Sequence, residues 1–157
     1  MTQKTAAICL VSIFCLFLFG CATGPTYSSM QSQIPPVVSG KGRVFFYQRF
    51  ATGLEKLYAR DILVDNQRVG SAKEGVFFVD LPPGAHMVSL PGGADPAQQA
   101  GREFVKVGQI VNINLGAGES RYIEFDPSVG ARNHPQMVVV DPAQGSQEIL
   151  DLPYIGH

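Results

Sequence analysis

The run Gly75-Val76-Phe77-Phe78-Val79-Asp80-Leu81-Pro82-Pro83-Gly84-Ala85-His86-Met87-Val88-Ser89-Leu90 decides how this chain folds. Its first half is β-branched and aromatic, which suits a pleated, buried surface. Its second half alternates, with His86, Val88 and Leu90 on one parity and Ala85, Met87 and Ser89 on the other, the period of a strand. Pro82 and Pro83 lack the N–H that a ladder needs, and Gly84 tolerates backbone angles other residues avoid. The stretch reads as two strands about a tight turn, with 85–90 returning as the partner of 76–81.

Upstream, Asp61-Ile62-Leu63-Val64-Asp65 is a strand, Asn66-Gln67 a two-residue turn and Arg68-Val69-Gly70 the start of the return. Residues 43–50 are apolar or aromatic without alternation, which predicts a central strand packed on both faces. Residues 51–59 form a loop or irregular turn. Downstream, residues 91–101 are the longest structureless stretch of the domain, an insertion or a binding loop. Strands follow at 103–107, 109–115, 120–125 and 136–140. In 120–125, Tyr122 and Glu124 alternate with Ile123 and Phe125 as in a half-buried strand. Asp141 can cap a helix that Pro142 opens and that ends near Leu152, weakened by Gly145, with Ile149, Leu150 and Leu152 toward the sheet. The prediction is all-β: a β-sandwich of about seven to nine short, mostly antiparallel strands with a short C-terminal helix, over residues 40–155.

Ahead of this domain, residues 6–21 are almost wholly apolar or small, preceded by Lys4 as the sole charge. That is a signal-peptide profile, too short to span the roughly 30 Å of bilayer hydrocarbon comfortably. It ends in Leu18-Phe19-Gly20-Cys21, which resembles the lipobox of bacterial lipoproteins, with Leu18, Gly20 and Cys21 on the pattern and Phe19 where Ala, Ser or Thr is usual. The resemblance implies cleavage between Gly20 and Cys21, lipid attachment at Cys21 with a diacylglycerol thioether and an acylated amino group (palmitate among the chains), and a stable anchor. The alternatives are an uncleaved short anchor and a secreted product cleaved near Ala22 or Gly24. Ala22, rather than Asp, implies sorting to the outer membrane, periplasmic face. Residues 1–20 are then signal peptide and 21–39 a flexible, uncharged tether holding the domain on the order of 20 to 25 Å from the headgroups, unless part of it pairs as an edge strand.

A second resemblance covers residues 40–125. Asp65, Val69-Gly70, Gly75, Leu81, Pro83-Gly84, His86, Val88 and Leu90, with the opening 42–49, are similar to small all-β modules of the PEGA type and to a domain-of-unknown-function family of small bacterial lipoproteins. It implies a β-sandwich on a lipid tether and carries no chemistry over.

Of three cysteines, Cys9 and Cys15 fall in the signal peptide, so the mature chain keeps only Cys21 and forms no internal disulfide. No cofactor is implied. His86, His134 and His157 have no ligand spacing, the 65–70 stretch lacks calcium-loop oxygens, and Ser89 lies on the opposite strand face from His86. The carboxylate pairs Asp61/Asp65 and Glu124/Asp126 are the one catalytic candidate, read first as solvated surface charge. Arg43, Arg49 and Arg60 near aromatic positions suit a protein or glycan surface, or simply the sandwich rim. Without Lys4, 11 basic residues face 13 acidic ones, a formal −2 that argues for no nucleic acid partner. The expectation is a non-enzymatic outer-membrane lipoprotein presenting an interaction module to envelope proteins or cell-wall glycan. The alternatives are a glycan-processing enzyme using a carboxylate pair and a small-ligand carrier.

Overall fold

All seven residues of β1 (Gly42–Gln48) are buried, the central strand that its unbroken apolar composition predicts. In a computed structural model, which describes residues 24–50, 60–91, 109–126 and 136–156, seven further strands and two short helices accompany it among the described residues. They are α1 (Tyr27–Met30), β1, β2 (Arg60–Val64), β3 (Gln67–Ala72), β4 (Gly75–Leu81), β5 (Gly84–Leu90), β6 (Gln109–Leu115), β7 (Ser120–Asp126), β8 (Gln136–Val140) and α2 (Pro142–Glu148). The first sheet has the order β4-β1-β7-β8 and the second β3-β2-β5-β6, so the predicted β-sandwich is the fold. All ladders are antiparallel except β1 with β7.

The strand pair at Pro82-Pro83 is not a hairpin. β4 pairs with β1 in the first sheet, whereas β5 pairs with β2 and β6 in the second. Two residues without N–H, followed by Gly84 at φ 138°, make a corner that carries the chain across the core. The tight turn sits one residue earlier than predicted: Val64 pairs with Gln67, and Asp65 and Asn66 both adopt positive φ (50° and 65°), the requirement of the turn whose twist matches a hairpin. The Asp65 carboxylate holds that register by accepting from the Met87 N–H across the sheet.

Between the sheets lies an apolar core that includes Val44, Phe46, Ile62, Phe77, Val88, Leu90, Ile123 and Phe125. The outer face of the second sheet carries exposed residues such as Asp61, Arg68, Ala85, Asn112 and Asn114. The outer face of the first sheet is covered by a second apolar layer of Tyr27, Phe45, Tyr47, Val76, Tyr122, Val140, Ile149 and Leu152. This corrects the half-buried reading of β7, because Tyr122 and Glu124 are as buried as Ile123 and Phe125.

Both ends of the described chain build that cover. Asp141 caps α2 through its side chain, as predicted, and Pro142 opens it. Gly145 is where the helix meets the sheet: a Cβ there would lie 2.4 Å from Tyr122 Cγ, so its absence of side chain permits the contact. Ile149 and Leu152 are buried beyond it, with Leu150 partly so. From the other end, residues 24–34 dock on the same layer, which corrects the expectation of a free tether over 21–39 for the part described. Thr26 caps α1, buried Tyr27 packs edge-on to Phe45 at 5.7 Å, and the Tyr27 N–H donates to Leu152 O at 2.8 Å. Uncharged composition suggests a random coil, but Tyr27 and Ile34 pack on the aromatic sheet face and the Tyr27 and Ser28 N–H groups donate to Leu152 O and Leu150 O, which fastens the segment. The pairing is an isolated bridge, Thr26 with Pro153, and not an edge strand.

Candidate functional site

The densest collection of chemical groups lies where α2 meets the end of β1 and β7. Tyr47 and Arg49 share the outward parity of β1, and Glu124 stands opposite Tyr47 in the parallel ladder. Glu148 ends α2, four residues after Gln144. Arg49 Nε donates to Glu124 Oε1 at 2.5 Å, and its Nη1 lies 3.5 Å from Glu148 Oε1. Tyr47 O–H donates to Glu148 Oε2 at 2.5 Å and Gln144 Nε2 to Glu148 Oε1 at 2.9 Å. Glu124 is only 5% exposed.

The electrostatics follow from these partners. Burial pushes the Tyr47 hydroxyl far up, and its bond to Glu148 adds to the shift, so it stays protonated and donating. Burial also pushes Glu148 up, but the hydrogen bonds from Tyr47 and Gln144 and the charge of Arg49 outweigh it and leave the carboxyl below its usual range. The bond to Glu124 raises Arg49. A glycan-cleaving pair needs one carboxyl kept protonated and one oxygen facing a sugar. Here an arginine clamps the two carboxylates together and both Glu148 oxygens are engaged, so the arrangement fastens α2 to the sheet.

Two further constellations tie strands. Arg43, read as rim, is buried: its guanidinium makes two bonds to Asp80, at 2.7 and 3.0 Å, and lies 3.7 Å from the Phe78 ring centre. The Arg43 bond holds Asp80 below the ordinary carboxylate range, and Asp80 also accepts from the Val38 N–H. His86 Nδ1 lies 2.7 Å from Asp65 Oδ2 and Nε2 lies 2.8 Å from Pro82 O. A carbonyl and an ionised carboxylate only accept, so the two bonds are made together when both ring nitrogens carry a proton, an arrangement that favours the imidazolium form. The bond to Asp65 accordingly raises His86, and the bond to His86 lowers Asp65.

The predicted site residues are thus distributed. Asp61 pairs with Arg68 on the exposed face of the second sheet, apart from Asp65 at the turn. Glu124 is not solvated charge but the buried partner of Arg49, while Asp126 ends β7. Ser89 lies on the parity opposite buried His86, as expected. Cys21, the Gly20–Cys21 cleavage position, the signal peptide, His134, His157 and most of the 91–101 stretch lie outside the described residues. Glu148, Tyr47 and Asp80 were missed. The one available signal was Gln144 and Glu148 four apart on a capped helix, with a tyrosine in a central strand needing a partner for its hydroxyl.

The fold and its ion pairs define a two-sheet β-sandwich whose first sheet is roofed by both ends of the described chain. The chain matches no protein-family model, no curated protein and no solved structure.

Proposed function

We propose that this protein is a non-enzymatic, lipid-anchored envelope protein of the PEGA-like kind, fixed to the periplasmic face of the outer membrane through Cys21 and offering its sandwich as an interaction module. Its partners are envelope proteins or cell-wall glycan. The observation that carries the non-enzymatic part is the clamp on Glu124 and Glu148: the two carboxylates brought together under α2 share one arginine, and the acid of the pair is held ionised. That state cannot deliver a proton to a leaving group at neutral pH. The anchor rests on Leu18, Gly20 and Cys21 following an apolar run. Labelled palmitate is expected in the wild-type chain and not in Cys21→Ala; equal labelling of both refutes the anchor. Crosslinking in intact cells, followed by identification of what is captured, is expected to return an envelope protein or glycan strands, and release of reducing sugar ends from cell wall by the purified protein would refute the module.

A further inference from the structure

We propose that residues 25–38 are a store of tether. Docked, they hold the body close to its lipid; released as a unit, they let it stand farther out, with both sheets intact. The inference rests on the lipid at Cys21 proposed above, and it goes further by giving the tether two lengths.

The chain is fastened twice before β1 begins. The first clasp is at 25–28: Pro25 O accepts from the Tyr154 N–H at 2.8 Å, the Tyr27 N–H donates to Leu152 O at 2.8 Å and the Ser28 N–H to Leu150 O at 3.0 Å. The second is at 38–41: the Val38 N–H donates to Asp80 Oδ2 at 3.2 Å, the Lys41 N–H to Val38 O at 2.9 Å and the Gly118 N–H to Lys41 O at 2.8 Å. Asp80 pairs with Arg43 near the start of β1, whereas Val76, which is bonded to Pro153 and Ile155 beside the first clasp, pairs with Tyr47 near its end. The chain between the clasps therefore runs back along the first sheet as stored length.

Opening the first clasp takes no strand from either sheet. Residues 24–34 belong to neither sheet, and the three bonds of the clasp all end on residues 150–154. That C-terminal segment keeps its own attachment when they break: the Val76 N–H donates to Pro153 O and the Ile155 N–H to Val76 O, both at 2.9 Å, and Ile149 and Leu152 stay packed on the sheet. The Tyr27 ring, 5.7 Å from Phe45 and 6.2 Å from Tyr154, is the one buried side chain of the docked segment, with Ile34 partly buried. Ser28, Ser29, Gln31, Ser32 and Gln33 are exposed. Few buried apolar groups and a short row of peripheral bonds are the marks of a unit that opens locally, short of global unfolding. Residues 21–40 carry no charge and include Pro25, Pro35 and Pro36, so the released chain is a hydrated coil.

The two lengths follow from chain geometry. With the first clasp closed, four residue steps separate Cys21 from Pro25, at most about 14 Å fully extended. With it open, the free chain runs from Cys21 to the second clasp at Val38, seventeen steps and at most about 60 Å. As random coils the two have mean spans of about 11 Å and on the order of 20 to 25 Å. The docked body lies beside the headgroups, and the released body reaches partners that stand away from the bilayer.

The test compares a locked and an opened clasp in the full acylated protein on a supported phosphatidylethanolamine/phosphatidylglycerol bilayer. Thr26 and Pro153 are antiparallel bridge partners, and the bonds flanking them make them a non-hydrogen-bonded pair, the close spacing that suits a cross-strand disulfide. Thr26→Cys with Pro153→Cys, oxidised, locks the clasp, and Tyr27→Ala opens it. Neutron reflectometry is expected to place the Tyr27→Ala protein layer about 10 Å farther from the headgroups than the locked layer. Equal heights overturn the two-length tether. Amide exchange gives the second readout: in the wild type Tyr27 and Ser28 are expected to exchange at least about tenfold faster than Phe46 and Ile123, and the oxidised lock should narrow that gap. Equal rates in the wild type, or loss of Phe46 and Ile123 protection in Tyr27→Ala, would make the segment part of the cooperative fold and overturn its release as a unit. Fatty acid content of the same samples separates the two claims. Acylated protein with equal heights refutes this inference alone; protein without fatty acid refutes the anchor and the inference with it.

Discussion

The two sheets of this sandwich differ in what lies outside them, and the difference accounts for most of the molecule. On the second sheet β5 buries alternate residues, with His86, Val88 and Leu90 inward. On the first sheet β1 buries everything, because the roof of residues 24–34 and 141–155 covers its outer face. The two apolar layers are also built differently. The inner one joins Phe46, Phe77 and Phe125 with aliphatic side chains, while Tyr27, Tyr47, Tyr122 and Tyr154 all lie in the outer one. A tyrosine brings a ring to the sheet and a hydroxyl that needs a polar partner, so the roof is held by rings and by the Arg49 clamp together. An inner layer filled with hydrocarbon holds the sheets; an outer layer with polar tips holds the chain ends.

That contrast is open to attack by substitution. The largest effect is expected from Phe46→Ala, which removes a fully buried ring between the sheets and should cost about 3–5 kcal/mol in denaturant titration. Its unfolding should be cooperative, with strand and tyrosine signals lost together. Gly145→Val comes next. The added side chain collides with the Tyr122 ring, so α2 must lift, at a cost of about 1–3 kcal/mol. The chain contains no tryptophan, and four of its five tyrosines lie in the outer layer, so near-ultraviolet circular dichroism reports chiefly on the roof. In Gly145→Val that signal should fall while the far-ultraviolet strand signal remains; a parallel loss of both would show that the layers are not separable.

Tyr47→Phe sharpens the same point at a smaller scale. It keeps the ring and deletes the donor to Glu148, which should cost about 1.5 kcal/mol. A value near zero would mean that the ring alone secures α2. The smallest effect is the pH dependence of the tie between the Asp65 turn and the Pro82 corner. His86 is raised in the folded protein, so its contribution is complete below the ordinary histidine pKa of about 6.5 and is lost as pH rises through the higher folded value. Asp65 is lowered, so its contribution is present above about pH 4 and is lost as pH falls through its folded value. The stability difference between wild type and His86→Gln should therefore be larger at about pH 5.5 than at about pH 9. An equal difference at both would remove the charged-ring account.

How much of this could be read from residue order depends on which sheet is considered. The strand positions of 76–81, 85–90 and 136–140, the all-β class and the Asp141–Pro142 helix start are local features, and the structure has them where propensity puts them, while the strand read at 61–65 is displaced by one residue to 60–64. Sheet membership is not local. Nothing in Pro82-Pro83-Gly84 says whether the chain turns back beside itself or crosses the core, because both exclude a ladder at the prolines. Nor does the alternation of Tyr122 and Glu124 with Ile123 and Phe125 reveal a cover supplied from residues twenty to a hundred positions away. The Arg49 clamp was hidden for the same reason: its members come from β1, β7 and α2, and no spacing in the chain joins them.

The claim on which the rest depends is that residues 24–34 belong to the fold, since this helps to roof the first sheet. Amide hydrogen exchange of the full chain tests it at single residues. The amides of Tyr27 and Tyr154, which bond one chain end to the other, and of Val76 and Ile155, which bond β4 to the C-terminal segment, should exchange far more slowly than unbonded backbone. If Tyr27 and Tyr154 exchange at the rate of an unstructured peptide, the segment is a free tether and the sheet beneath it is bare.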